Sequence, residues 1–263
     1  MNELSGLSRT SLSMSGTATA IRRDGRNLEP HERRAVHDAF RQNRFLHAWP
    51  VHVIDALCDA ADLRSYFNGE LVVARDTRCD DVHVVLSGSI EVSWTNAAGV
   101  RAVTHYNSPN EIINFIPVID GRGSMHDQRV HGHATLLHIP GAALFEQFTR
   151  EPTLLRGVLD LVCARCRAAQ GRMRKQELST FRARLADQIL LLAEWHGRPT
   201  PRGTELSIRL SQADLAALMV ASRQRVNREL GGLVRAGFVE ILYSCLTVLD
   251  MEGLRALSTD KDE

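Results

Sequence analysis

The most legible chemistry in this chain lies in "LSQADLAALMVASRQRVNRELGGLVRAGF", positions 210 to 238. Arg223, Gln224, Asn227 and Arg228 fall there at i, i+1, i+4 and i+5, which puts them on one face of a helix. Arginine offers a two-pronged donor to O6 and N7 of guanine, and asparagine or glutamine matches N6 and N7 of adenine. Such a face suits the major groove of DNA. The solvated side of an ordinary amphipathic helix has the same composition, so the surrounding elements must decide.

Two other groups could do chemistry. "MHDQRVHGHATLLH" carries His126, His131, His133 and His138 with Asp127. On a strand His131 and His133 would share a face and could ligate a metal or a haem iron. Cys163 and Cys166, at i and i+3 of a helix, could gather four thiols across a two-fold axis for zinc or redox chemistry. The simpler reading of both is structural, as hydrogen-bonded histidines and small apolar seam-fillers, and no metal site is assigned to them. The chain has no nucleophile elbow, phosphate-binding P-loop or HExxH pair, and His126-Asp127 alone signals no active site. It is not read as an enzyme.

The elements that must hold the arginine-rich face are recognisable. Ser211 and Asp214 form a capping-box pattern ahead of a helix with Leu215 and Leu218 inside. Ser222 can cap the next helix, whose inner face is Val226, Leu230 and Leu233. The four polar residues sit in that helix's first two turns, the part that a helix-turn-helix inserts into the groove.

The whole chain bounds the rest. Its 263 residues allow one large domain or two ordinary ones, and 44% hydrophobic with 24% charged residues is typical of a globular protein. A net charge of only +1 means that any nucleic-acid affinity must come from a local patch. No run reaches the roughly 18 apolar residues of a membrane span. The first 20 residues lack the apolar core of a secretory signal, and 1–28 is expected to be a disordered tail. Five scattered cysteines (58, 79, 163, 166 and 245) suit a reduced, cytoplasmic setting.

Along the chain, a charged helix is expected from about His31, then a short amphipathic one with Val53, Leu57 and Ala61 inside. From about Leu63 to Ile139 the pattern is short strands and turns. "VHVVLSGSIEVSW" is broken by Ser87-Gly88, after which Ile90, Val92 and Trp94 alternate with Glu91 and Ser93. Such a series suggests a small sandwich or barrel. Residues 29–150 are thus read as one domain. A long helix follows in 151–178, with Leu155, Leu159, Val162 and Cys166 forming an apolar seam that another chain could cover. A helix capped by Ser179 or Thr180 and stopped at Gly197 opens a last domain, 179–257, which adds the helix pair and a hairpin; 258–263 is left as a tail.

In this setting "SRQRVNREL" resembles the recognition helix of the CRP/FNR superfamily of bacterial transcription regulators. The resemblance covers roughly residues 45 to 257 and rests on the order of parts: strands ending in "ATLLHIP", the long helix, "RLADQILLLAEW", the helix pair and the wing "GFVEILYSCLTVLDMEGL". It implies an α+β chain: an N-terminal double-stranded β-helix (a jelly-roll like a cyclic-nucleotide-binding domain), a dimerisation helix and a C-terminal winged helix-turn-helix. The implied partners are a second copy, a pseudo-palindromic promoter site in double-stranded DNA, RNA polymerase and a small-molecule effector of unknown identity. Ser179-Thr180 would be the hinge that lets two recognition helices sit about 34 Å apart.

Carried over by position, Arg223, Gln224 and Arg228 read bases, with Asn227 on the same face, Ser211 and Ser222 at the helix starts and Arg225 on phosphate. Gln224 replaces the family's glutamate, which implies a half-site other than TGTGA. Two departures bear on geometry. Val220 stands where glycine is usual and resists φ > 0, so a different turn is expected. Gly231-Gly232 sits inside the helix, pointing to close packing or a ragged end. Cyclic-AMP sensors of this family hold their ligand through Gly-Glu, Arg-Ser and Thr-Ser pairs. A gap-free comparison puts Ile113-Asn114, Ser124-Met125 and Ala169-Gln170 there, so cyclic AMP is not expected as effector; Asn114, Met125 and His126 would line what pocket remains. The cysteine cluster of the family's iron–sulfur sensors is missing. A metal-, haem- or thiol-based sensor on the same scaffold is the alternative, its cofactor unknown.

Overall fold

A computed structural model describes residues 21–22, 28–243 and 245–259. Most of the expected tail, 1–20 and 23–27, lies outside them. Two of its residues form a strand, β1 (Ile21–Arg22), paired with Ser65 and Arg64.

Helix α1 (Pro30–Gln42) starts where Glu29 and Glu32 cap each other and Pro30 needs no N–H partner. Helix α2 (Val51–Ala60) buries Val53, Ile54, Leu57 and Cys58. Both pack on a β-roll made of β1, β2 (Asp62–Tyr66), β3 (Leu71–Val73), β4 (Asp81–Thr95), β5 (Arg101–Asn107), β6 (Ile112–Ile113) and, after α3 (Phe115–Asp120), β7 (Asp127–Pro140). The strand order is β1-β2-β7-β4-β5, with β3 on β7 and β6 on β4, all antiparallel. The long pair β4–β7 is the spine, paired from Asp81↔Pro140 to Ser93↔Asp127. The main core (Phe40, Leu46, Leu57, Phe115, Leu137, Leu144) fills the space between helices and sheet.

Ser87-Gly88 does not break β4. The strand runs through with register shifts on either side of Ser87, and Gly88 takes φ +83°. A β-carbon there would lie 1.9 Å from the His133 carbonyl oxygen, so the bulge needs glycine. The alternation beyond it is also imperfect. Ile90 and Val92 are buried as expected, but Glu91 is buried too and Trp94 is exposed.

Helix α4 (Gly141–Arg150) and a 3-10 turn at Pro152–Leu154 lead into α5 (Leu155–Leu178). Its apolar residues divide between two faces. Val158 and Leu161, continuing from Leu154, turn into the roll's core, and Arg165 donates to the Ile112 carbonyl at 2.9 Å. The expected seam lies on the other face: Leu155 is 39% and Leu159 60% exposed, and Cys163 and Cys166 are exposed as well.

Thr180 caps α6 (Phe181–His196) by accepting from the Ala183 amide. The next segment, "GRPTPRGTEL", forms a hairpin that its two prolines conceal: β8 (Gly197–Thr200) and β9 (Gly203–Leu206). Pro199 is tolerated because β8 is an edge strand. Then come α7 (Gln212–Leu218), α8 (Arg223–Arg235) and the wing strands β10 (Val239–Leu242) and β11 (Cys245–Val248), giving a sheet β10-β11-β9-β8. The last helix, α9 (Met251–Thr259), takes in the first two residues assigned to the tail and buries Leu254 in the head's core.

Candidate nucleic-acid interface

Helices α7 and α8 form the expected helix pair. Ser211 and Asp214 make the capping box of α7, and the Ser222 hydroxyl accepts from the Arg225 amide to cap α8. Leu215, Leu218, Val226, Leu230 and Leu233 all enter one hydrophobic cluster. The turn between them corrects one expectation. Val220 takes φ +47°, the conformation that glycine would supply. The Ala221 amide donates to the Ala216 carbonyl and the Val220 amide to that of Ala217, and packing of the two helices overrides the preference of a β-branched residue. Gly231 and Gly232 lie in unbroken helix, and β-carbons there would meet nothing closer than Arg235 Nη1 at 3.4 Å and Arg182 Cζ at 3.9 Å. Neither close packing nor a ragged end accounts for them.

The outer face of α8 is open. Arg223, Gln224, Arg225 and Arg228 are exposed in its first turns. Arg228 forks onto the neighbouring Glu229, with Nε and Nη2 each 3.1 Å from its carboxylate. The Arg225 guanidinium lies 4.2 Å from the centroid of the Phe181 ring, at the start of α6. Asn227 differs from these four. It is half-buried and donates to Gln212 Oε1 at 2.8 Å, bracing α8 against α7.

The head is docked on the roll of its own chain. Val103 and Tyr106 of β5 belong to the head's hydrophobic cluster. Arg101 Nη2 donates to Asp214 Oδ1 at 2.9 Å, while Nη1 lies 3.3 Å from the buried Glu91 carboxylate, which is why that strand's outer face is covered. His131 donates through Nε2 to the Arg209 carbonyl at 2.6 Å. His196, at the end of α6, donates to the Tyr106 carbonyl at 3.2 Å, and burial lowers its pKa. A cavity of 610 Å³ separates the β4–β5 turn from the helix pair, lined by Val100, Arg101, Ala217, Val220, Ser222 and Arg223. Sequence reasoning missed this seam because no local pattern marks Arg101, Tyr106 or His196 as partners of the head.

The expected effector residues differ in burial. Asn114 is buried at φ +69°; its amide donates to Cys79 Sγ at 3.2 Å, lies 3.1 Å from His83 Nδ1, and accepts from Gln128. Met125 is 55% exposed. His126 is half-buried beside Ser124, whose hydroxyl donates to the His126 carbonyl at 2.8 Å. His131 and His133 do not share a face either. Gly132 between them takes φ +84°, sending His131 to Tyr106 and Arg209, and His133 to the Phe67 ring. Cys163 and Cys166 share the exposed side of α5.

Residues 183–257 match the family model of the Crp-like helix-turn-helix domain. The HTH-type transcriptional regulator Cmr of Mycobacterium tuberculosis is 27% identical over 209 residues, which is 79% of this chain and 81% of that protein. The fold is that of FixK2 from Bradyrhizobium japonicum (TM-score 0.68, 15% identity, 76% of this chain and 98% of that one). It is also that of a CRP/FNR-family transcriptional regulator from Thermus thermophilus (TM-score 0.63, 18% identity, 76% and 100%). Residues 183–257 are thus similar to the Crp-like helix-turn-helix domain, and the chain shares the fold of these transcription regulators.

Proposed function

We propose that this chain is a transcription regulator of the CRP/FNR type, acting as a homodimer that reads a pseudo-palindromic site in double-stranded DNA through Arg223, Gln224 and Arg228, without cyclic AMP as its effector. The observation that carries the reading is the open outer face of the first two turns of α8, where Arg223, Gln224 and Arg228 are all exposed. Arg225, stacked on Phe181, is placed for phosphate, and Asn227, tied to Gln212, holds the reading helix rather than touching a base. Ser211 and Ser222 act through their caps.

The second copy is supported by α5. One chain leaves Leu155 and Leu159 exposed one helical turn apart, and a partner's α5 would cover them. Two heads on one axis explain why a palindromic site is required. Against cyclic AMP stands the chemistry of the anchor positions. None of Ile113, Asn114, Ser124, Met125, Ala169 and Gln170 is cationic, and Asn114 is already engaged inside the roll.

Selection of bound fragments from random-sequence DNA at fixed salt tests the reading, with Arg223→Ala beside the native chain. The native protein is expected to enrich an inverted repeat, and the variant to remain dimeric and lose the preference. Native specificity in the variant would sink the assignment, as micromolar binding of cyclic AMP in a calorimeter would sink that part.

A further inference from the structure

Inside the roll, away from the head, lies a cluster that the DNA-binding reading does not use. Asp81 and His83 are two apart on β4, so their side chains leave the same face. Register pairs His83 with His138 on β7, and their ring centroids are 4.1 Å apart. One donor atom from each of Asp81, His83 and His138 lies within 4.8 Å of the others, and both histidines are buried. We propose that these three residues bind a divalent transition-metal ion of the zinc class inside the roll.

Three observations carry this. His138 Nδ1 is buried and has no hydrogen-bond partner among the described residues, an arrangement that costs free energy unless something else occupies it. Its nearest carboxylate oxygen, Asp81 Oδ2, lies at 3.7 Å, too far for a hydrogen bond. That 3.7 Å is close to the roughly 3.3 Å that separates two ligand atoms each about 2.0–2.1 Å from one tetrahedral ion. The His138 ring is also held from behind, as metal-binding histidines are: Tyr66 Oη lies 2.9 Å from its Nε2. Two imidazoles with one carboxylate suit zinc, iron(II), cobalt(II) or nickel(II) and not calcium or magnesium. The nearby cation Arg64 is paired with Asp62 at 3.3 Å, and Asp81 is partly exposed, which gives an ion access. Three protein donors leave a tetrahedral ion one position for water or a small ligand.

The test uses the full-length chain stripped of metal and titrated with cobalt(II), then competed with zinc(II). One ion per chain is expected, with visible cobalt ligand-field bands displaced by zinc and a higher melting temperature when loaded. Asp81→Asn and His138→Gln should each weaken binding by about tenfold or more. A variant lacking Cys163, Cys166, His131 and His133 should bind as the native chain does. If His138→Gln does not fold, Asp81→Asn, at a partly exposed position, decides alone. No saturable binding to the folded native chain would overturn the proposal, and so would binding that survives Asp81→Asn or is lost with the four control residues.

Discussion

Arg101 on the roll holds the carboxylate of Asp214, the residue that completes the capping box of the first helix of the head, at 2.9 Å. One carboxylate therefore serves two structures: it satisfies the Ser211 amide at 2.9 Å and ties the head to β5. Burial alone would raise the Asp214 pKa, but the hydrogen bonds from Ser211 and Arg101 outweigh it and hold the carboxyl below its ordinary value of 3.8. A group depressed in the folded state stabilises above its unfolded pKa and loses that contribution as pH falls through the folded one. Asp214→Asn is therefore expected to lower the head's urea midpoint near neutrality, and the gap to the native chain should close below pH 3.8. A gap unchanged in acid would mean that the charge of Asp214 contributes nothing.

The turn at Val220 yields a prediction of opposite sign. A side chain held in the left-handed region costs about 1–2 kcal/mol, and Val220 is 61% exposed, so little burial offsets the strain. Val220→Gly should stabilise the head by about 1 kcal/mol after allowing for glycine's freedom in the unfolded chain. Denaturant melts of the two proteins check this, and a destabilised variant would show that the turn is relaxed as it stands.

Gly231 and Gly232 lead to a similar expectation. Each costs a helix about 1 kcal/mol relative to alanine, and at both positions there is room for a methyl group. Gly231→Ala meets only the tip of Arg235, a flexible side chain. Each alanine variant should raise the head's unfolding midpoint by an amount equivalent to about 1 kcal/mol. A loss of stability at either would point to a contact that the isolated chain does not contain.

These cases show which parts of the molecule its sequence makes legible. Helix starts and stops are local, so Thr180, Ser211 and Ser222 could be read as caps from their neighbours alone. The exposed polar face of α8 follows from periodicity in the same way. What escaped depends on contacts between distant segments. Glu91 is buried because a helix 120 residues further on supplies the partner of its own partner, Arg101. His83 and His138 meet only through the β4–β7 register, which a bulge at Ser87 resets. The seam of α5 was legible as apolar, but not that Val158 and Leu161 would take the roll-facing side.

In the proposed reading, Gln224 sets part of the sequence preference. Glutamine favours adenine, whereas glutamate accepts from the amino group of cytosine. Gln224→Glu should move the preference at one position of each half-site from adenine to cytosine, by about 1–3 kcal/mol of discrimination. Anisotropy titrations on duplexes that differ at that position, at one salt concentration, give the number directly. An unchanged preference would take Gln224 off the base-reading face.

Leu159 tests the proposed dimer. It is 60% exposed, on the side of α5 turned away from the roll, so a charge there leaves the fold of the single chain intact. In a dimer joined through α5 it would instead face its symmetry mate or that mate's Leu155, where a buried unpaired carboxylate is costly. Leu159→Glu is therefore expected to halve the sedimenting mass while leaving the far-ultraviolet circular dichroism unchanged. Affinity for an inverted repeat should fall toward that of a single half-site, because the second head no longer binds at the effective concentration that its partner supplies. A dimer that persists in this variant would move the interface off α5 and remove the reason for expecting two-fold symmetry in the DNA.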